Sequence, residues 1–327
     1  MLAVLLREES LGEAVAAPES GLPSVGVVIP AGHRPGRLPH ALSSVLRQDY
    51  QGPLRVVVVY DSPRRPSPGR VRPLIPHRED RPVTVLTNTR TPGLTGARNT
   101  GVLALTTDLV AFCDETAEWE PGKLTAQVTA LARTPDAELV TCGVAYPSRG
   151  GWTPRLAGVN RLRLADLART RLVRFPSSTF LARREALVAP HRIGLLAEDA
   201  PGQRNEDWDL LLRAARRTPP AHVDAPLVRV PPPRPNSTEY ATDLSSLRWI
   251  MARHPEIRRF PGAARLYGQL ACWSAALGNR RDAWHWARQA VRRNWREPRA
   301  ALALAALSGA VQIQSLLATL NRRGHPL

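Results

Sequence analysis

Leu94-Thr95-Gly96-Ala97-Arg98-Asn99-Thr100-Gly101, continued by Leu109-Val110-Ala111-Phe112-Cys113-Asp114-Glu115-Thr116-Ala117-Glu118-Trp119-Glu120-Pro121, is the stretch that decides the fold. It predicts a helix opening at the Gly96 turn, with Arg98 and Asn99 in its first turn, and then a buried strand from Leu109 to Cys113. Acids follow the strand directly. In open α/β sheets ligands bind outside the carboxyl ends of strands, so Asp114 and Glu115 stand where a site is expected. A solvated acidic turn would look the same in isolation, and the neighbouring segments decide between the two.

Upstream, Ser24 to Pro30 is an apolar run stopped by proline, and Leu38, Leu42, Val45 and Leu46 recur at helical spacing within 37–48. Pro39 fits only the first turn of that helix. A second apolar run, Leu54 to Val59, ends at Tyr60 and Asp61, so the order is strand, helix, strand, with a right-handed connection. The segment from Ser62 to Pro82 holds six prolines and predicts an irregular loop before a third strand at Val83 to Leu86.

Downstream, a helix is expected over 122–133 and a strand over 137–145. Residues 146–176 read as a poorly patterned loop with one short helix near 162–169. A short strand over 177–183 and a short helix over 185–188 follow. Asn205 to Arg217 predicts a helix with an Asp209–Arg213 pair one turn apart, stopped by Pro219-Pro220. A last strand spans 223–230, Pro231 to Pro235 reads as a linker, and the chain is helical from Thr242 onward. There the turn Leu277-Gly278-Asn279 before Asp282 resembles a single tetratricopeptide-like hairpin. The fold class is α/β, a mixed, mainly parallel sheet flanked by helices, with an α-helical C-terminal appendage. The domains expected are a tail at 1–23, an α/β domain at 24–235 and a helical region at 236–327.

Net charge is +17, from 45 Lys and Arg against 28 Asp and Glu, and Lys123 is the one lysine. Such a balance suits an anionic partner, whether a nucleotide, a membrane surface or nucleic acid. The charge is spread without a compact basic tract, which argues against a nucleic-acid arm. Cys113, Cys142 and Cys272 are odd in number and far apart, so neither a disulfide framework nor a metal ribbon is expected. The apolar start, Met1 to Leu6, is too short for a signal-peptide core, and a cytoplasmic protein is expected, with peripheral membrane association left open. The uncharged run 300–320 reads as a buried or surface-lying helix, Asn236-Ser237-Thr238 matches a glycosylation pattern without a secretory context, and Trp273, Trp284, Trp286 and Trp295 read as packing residues of the appendage.

From Gly96 to Leu124 the chain resembles the family 2 glycosyltransferases of the GT-A fold, with their Gly-x-Ala-Arg-Asn-x-Gly helix, acid-ended strand, Trp and Pro in order. The resemblance extends over roughly 24–235. It implies transfer of a sugar from a nucleoside-diphosphate sugar to an acceptor of unassigned class. It assigns Pro30, Asp61, Arg98 and Asp114 to the donor nucleotide. It also assigns Asp207 of Asn205-Glu206-Asp207-Trp208-Asp209 as the base of an inverting reaction, flanked by Glu206. Glu198-Asp199 is a weaker second pair, and Trp152 is a candidate for stacking on an acceptor sugar.

The family's second acid is replaced by Thr116. The resemblance implies a divalent cation, Mn²⁺ or Mg²⁺, on Asp114 and Glu115, but a hard cation prefers carboxylate oxygen, so strict metal dependence is in doubt. Thr116, Ala31 and Tyr60 also motivate a rival reading, a catalytically idle nucleotide-sugar-binding or scaffold protein on the same fold. A nucleic-acid binder ranks below both.

Overall fold

The computed structural model describes residues 21–32, 36–61, 80–148, 150–169, 175–231, 239–309 and 312–315. Residues 1–20, His33, the proline-rich segment 62–79, the Asn236-Ser237-Thr238 pattern and the end of the uncharged C-terminal run lie outside them. The chain forms two compact units. One comprises Met1–Cys142, Ser177–Leu195 and Leu227–Arg229; the other comprises Gly143–Pro176, Leu196–Pro226 and Val230–Leu327. The C-terminal helices therefore share a unit with residues 143–176 and 196–226, and no unit boundary falls between 235 and 236.

The first unit is built on four parallel strands in the order β3-β2-β1-β4: β1 (Val25–Ala31), β2 (Leu54–Tyr60), β3 (Val83–Thr87) and β4 (Leu109–Phe112). Strand β8 (Leu181–Arg183) adds antiparallel to β4, and Leu139 and Val140, at the start of β6 (Leu139–Ser148), pair antiparallel with β8. The short β5 (Glu118–Trp119) pairs with the end of β9 (Ala221–Arg229). Val27, Val28, Ile29, Val56, Val58 and Val110 are fully buried. Strands covered on both faces carry unbroken apolar runs, which is why these were legible as runs rather than alternations.

Helices α1 (Leu38–Leu46), α2 (Leu94–Ala104), α3 (Lys123–Ala132) and α5 (Arg184–Val188) belong to this unit. Two glycines set how α2 packs. A Cβ on Gly101 would stand 2.4 Å from Val28 Cγ1, and one on Gly96 would stand 1.9 Å from the Thr91 carbonyl oxygen. The helix therefore presses directly on β1 and on the turn before it.

In the second unit the later part of β6 forms an antiparallel hairpin with β7 (Gly151–Arg155), followed by α4 (Leu164–Arg169) and α6 (Glu206–Arg217). Then come α7 (Tyr240–Arg253), α8 (Ala263–Ala276), α9 (Arg280–Arg293) and α10 (Pro298–Leu307). Ala271, Cys272, Ala276, Ala287 and Ala303 form the core of the last helices, with Trp273 and Trp286 packed against it. All three cysteines are free and buried.

Three expectations need correction. The segment 146–176 contains the hairpin strand β7; all five of its residues are exposed, so it carries no apolar alternation to read. Ser177 to Thr179 is a 3-10 turn that precedes the short strand. Trp284 and Trp295 do not pack the appendage: they are 58% and 73% exposed, because α9 packs through the small faces of Ala283, Ala287 and Ala290 instead. No helix among the described residues is long and apolar enough to cross a membrane.

Candidate functional site

In the first unit the chain leaves β1 toward β2 and later returns on β1's other side to β4. A parallel sheet that reverses its winding in this way opens a crevice outside the carboxyl ends of the two central strands. The predicted donor residues gather there. Pro30 is buried and in register with Val59, and the next residue, Ala31, accepts the Asp61 N–H at 2.9 Å. Gly32 donates its N–H to Glu115 Oε2 at 3.2 Å, which joins the end of β1 to the turn after β4.

Asp61 is held by Asn88. The Asn88 amide nitrogen donates to Asp61 Oδ1 at 2.9 Å, its backbone N–H donates to the Tyr60 carbonyl at 2.8 Å, and its side-chain oxygen accepts the Thr100 hydroxyl of α2 at 2.9 Å. One side chain thus ties β2, β3 and α2 together beneath the acid. Asn88 escaped the sequence reading, although the signal was present: like Asp61 and Asp114, it is a polar residue just past the end of a parallel strand.

Asp114 is fixed from two sides. Arg98, 3% exposed, places Nη2 2.6 Å from Asp114 Oδ1. A guanidinium in the first turn of α2 opposes the helix dipole, and the carboxylate supplies the compensating charge. The Asp114 N–H donates to Ser178 Oγ at 3.0 Å, and the Ser178 carbonyl accepts Trp119 Nε1–H at 3.1 Å.

Beneath Trp119 lies Lys123, fully buried, with Nζ 3.8 Å from the indole centroid and donating to Gln127 Oε1 at 2.7 Å. Gln127 in turn donates to the Thr179 carbonyl at 2.7 Å. Burial pushes the Lys123 ammonium down to about 8, against a weaker opposing influence of the Cys142 and Cys113 thiols. Burial also pushes the Cys142 thiol up to about 11.

The donor set does not fit a divalent cation. Asp114 spends an oxygen on Arg98, Glu115 is turned back to the Gly32 N–H, and position 116 is a neutral threonine. Among the described residues no three His, Cys, Asp or Glu side chains gather in a way that would hold a metal.

The predicted base belongs to the second unit. Asn205, at φ +67°, turns the chain through the left-handed region into α6, and Glu206 and Asp207 open that helix. Asp207 is half-buried, and among the described residues its carboxylate bonds only the following N–H, that of Trp208, at 2.7 Å. Acids in a first helical turn are favoured by the dipole.

The frame around Asp207 is fixed by α7 and the turn after it. Asn205 Nδ2 donates to Ser246 Oγ at 2.6 Å, and Ser246 Oγ donates to the Arg204 carbonyl at 2.7 Å. Arg204 pairs with Asp243 and with Glu239, and Arg216 with Glu256. Asp209, fully buried, takes Arg213 Nε at 2.8 Å, Arg253 Nε at 2.9 Å and His254 Nε2 at 2.8 Å. Burial works to raise the Asp209 carboxyl, but His254, Arg213 and Arg253 prevail and hold it below the usual carboxylate value. The sequence reading had only the Arg213 contact, which is local; Ser246 and His254 carry no sequence signature. The second candidate pair is engaged structurally, since Asp199 accepts Trp249 Nε1–H at 3.1 Å.

A family profile described as Glycosyl transferase family 2 matches residues 26–189, half of the chain and short of Asp207. No curated protein matches the chain by sequence. Among solved structures, residues 1–349 of S. aureus TarS in complex with UDP align with TM-score 0.54 at 12% identity, covering 92% of this chain and 92% of that one. The same protein in complex with UDP-GlcNAc aligns with TM-score 0.54 at 13% identity, with the same coverage. The mannosyltransferase PcManGT from Pyrobaculum calidifontis, in complex with GDP-Man and Mn²⁺, aligns with TM-score 0.54 at 20% identity, covering 93% of this chain and 83% of that one. At these identities the likeness is one of fold.

Proposed function

The chain belongs to the family 2 glycosyltransferases, and from that premise we propose that it moves a sugar from a nucleoside-diphosphate sugar to an acceptor hydroxyl with inversion, Asp207 acting as general base. It is a GT-A enzyme. We take 24–235, drawn from both units, as the catalytic module, with the helical region 236–327 continuing the second unit. Asp61 contacts the base or ribose beside Pro30. Asp114, oriented by Arg98, contacts the ribose side, and Glu115 borders the same crevice. The nucleotide complexes of the structural neighbours support a donor of this class.

In the reaction the acceptor oxygen attacks the anomeric carbon, its proton passes to the Asp207 carboxylate, and the bond from the anomeric carbon to the diphosphate oxygen breaks, its electron pair leaving with the diphosphate. Glu206 flanks the base. No step is routed through a divalent cation, because the residues at 114–116 do not suit one.

The observation that carries the reading is the gathering of Asp61, Asp114 and Glu115 at the switch point between β1 and β4, each held by a partner from another segment. Thr116 and the Arg98–Asp114 tie favour one second reading, donor binding without turnover. One experiment separates the two. Asp207→Asn should lower kcat by about 10²–10⁴-fold, while thermal stabilisation by UDP, GDP or dTDP, which reports donor binding, stays at the wild-type level. Unchanged turnover in the variant would remove Asp207 from the chemistry, and a wild type stabilised by a nucleotide but without turnover would establish the binding-only reading.

A further inference from the structure

We propose that the exposed face of α9 is a docking surface for an anionic lipid bilayer. The surface is independent of the donor residues and of Asp207. Its residues are Arg281, Trp284, Arg288, Val291, Arg292 and Trp295, all exposed. Arg281, Trp284, Arg288, Arg292 and Trp295 follow at steps of three or four residues, with Val291 beside Arg292, so they form one stripe that runs along the helix and just past its end. The opposite face, Ala283, Ala287 and Ala290, is fully buried, and Trp286, beside it, stacks on Tyr267 at 5.7 Å. The helix thus packs through its small residues and Trp286, and leaves Trp284, with Trp295 just past its end, in water.

Charge decides what the stripe meets. The only acid between 277 and 296 is Asp282, and Arg248 occupies it at 2.6 Å. Arg280 is engaged by the Leu307 carbonyl and Arg293 by the Arg258 carbonyl, whereas Arg281, Arg288 and Arg292 make no ion pair among the described residues. Three unneutralised guanidinium groups, two of them between the exposed indoles, repel a second copy of a chain that carries +17.

A folded protein partner needs a contiguous apolar centre with its charges at the rim. Here the apolar residues are scattered singly among the charges. A headgroup layer asks for no such centre: indoles settle at the interface and guanidinium groups meet lipid phosphates, with a shallow seat and no spanning segment.

The test is flotation of the full-length protein with vesicles of phosphatidylcholine alone and of phosphatidylcholine with phosphatidylglycerol, at low and high salt. Binding is expected only with phosphatidylglycerol and should weaken as salt rises. Arg281→Gln/Arg288→Gln/Arg292→Gln should weaken it about a hundredfold, at about fivefold per basic residue, and Trp284→Ala/Trp295→Ala should reduce it at unchanged salt dependence. Neither variant touches the donor residues or Asp207, so thermal midpoint and turnover on a soluble acceptor serve as controls for folding. Absence of flotation by the wild type would overturn the proposal. So would flotation indifferent to both variants, a dimer lost on Trp284→Ala/Trp295→Ala, or tighter binding to random single-stranded RNA than to the vesicles.

Discussion

The acid at the end of β4 and the acid at the start of α6 are held in opposite ways. Asp114 is fixed through its own charge: a buried guanidinium takes one carboxylate oxygen, and Ser178 holds its N–H. Asp207 has no cation partner among the described residues; it is the frame around it that is fixed, through Arg204, Asn205 and Asp209. The first arrangement suits a group that must stay put and present one oxygen. The second suits a group that must accept a proton, because a tied guanidinium would compete for that proton's place. The two regions differ in which atoms are left available.

The sharpest break of this comparison lies two residues beyond the proposed base. Asp209 satisfies two arginines and a histidine inside the protein, so Asp209→Asn leaves the half-buried Arg213 without its compensating charge and the buried His254 without its partner. Removing one partner of a buried ionic cluster costs about 3–5 kcal/mol. Urea unfolding should show a loss of that size, whereas Asp207→Asn leaves stability nearly unchanged. Asp209 also sets an acid limb. Its folded value lies below its unfolded 3.8, so its contribution is complete above 3.8 and is lost as pH falls through the folded value. The variant should lack that limb. Equal unfolding midpoints for wild type and variant would mean that Asp209 does not brace the helix.

Much of this was legible in the chain. The parallel strands announced themselves as unbroken apolar runs, and Gly96 and Gly101, read as part of a motif, turn out to be positions where a side chain would strike Thr91 or Val28. Asp61, Asp114 and Asp207 were placed at element ends because strand and helix ends are where acids become available. What escaped was whatever depends on contact across the fold. Arg98 and Asp114 are sixteen residues apart on different elements, and nothing in either segment says that they pair. Ser178 and Ser246 are ordinary serines until the N–H of Asp114 and the amide of Asn205 arrive beside them. Trp284 and Trp295 were misread because tryptophan in a helical array ordinarily packs, and only the alanine face of α9 shows that here it does not.

A composition signal sharpens the donor side. In a chain that otherwise uses arginine for its basic residues, the single lysine is the residue buried under Trp119. A compact ammonium fits between the indole face and Gln127, where a planar guanidinium, with its five donors, would leave several unsatisfied. Burial lowers its value from 10.5 to about 8. Between those values the unfolded chain holds a proton that the folded chain has released, so folding stability rises with pH across that window. The full span corresponds to about 3 kcal/mol. Lys123→Met removes the titration, so the stability of wild type minus that of the variant should climb by about 2–3 kcal/mol between neutral pH and the unfolded value. Denaturant unfolding at several pH values checks it, and a flat difference would mean that the ammonium is not disfavoured by its burial. Cys142, pushed to about 11, stays largely protonated over the same range.

The smallest changes test the comparison most directly, because they alter one bond in each region. Ser178→Ala removes the acceptor of the Asp114 N–H, and Ser246→Ala removes the acceptor of the Asn205 amide together with a donor to the Arg204 carbonyl. Each should cost about 1–2 kcal/mol of stability, the usual price of leaving a buried group unpaired. Their kinetic effects should separate. Loosening Asp114 disturbs a group proposed to meet the donor before and during reaction, so Ser178→Ala should raise the donor KM with kcat little changed. Loosening the left-handed turn at Asn205 moves the carboxylate proposed to take the proton, so Ser246→Ala should lower kcat with the donor KM little changed. Asn205→Gly supplies a backbone at ease at positive φ. If the Ser246 bond serves to hold that turn, Asn205→Gly introduced into Ser246→Ala should recover part of kcat. A loss of kcat that glycine does not relieve would assign Ser246 to packing alone, and identical kinetic signatures in the two serine variants would erase the distinction between an acid held by its charge and an acid held by its frame.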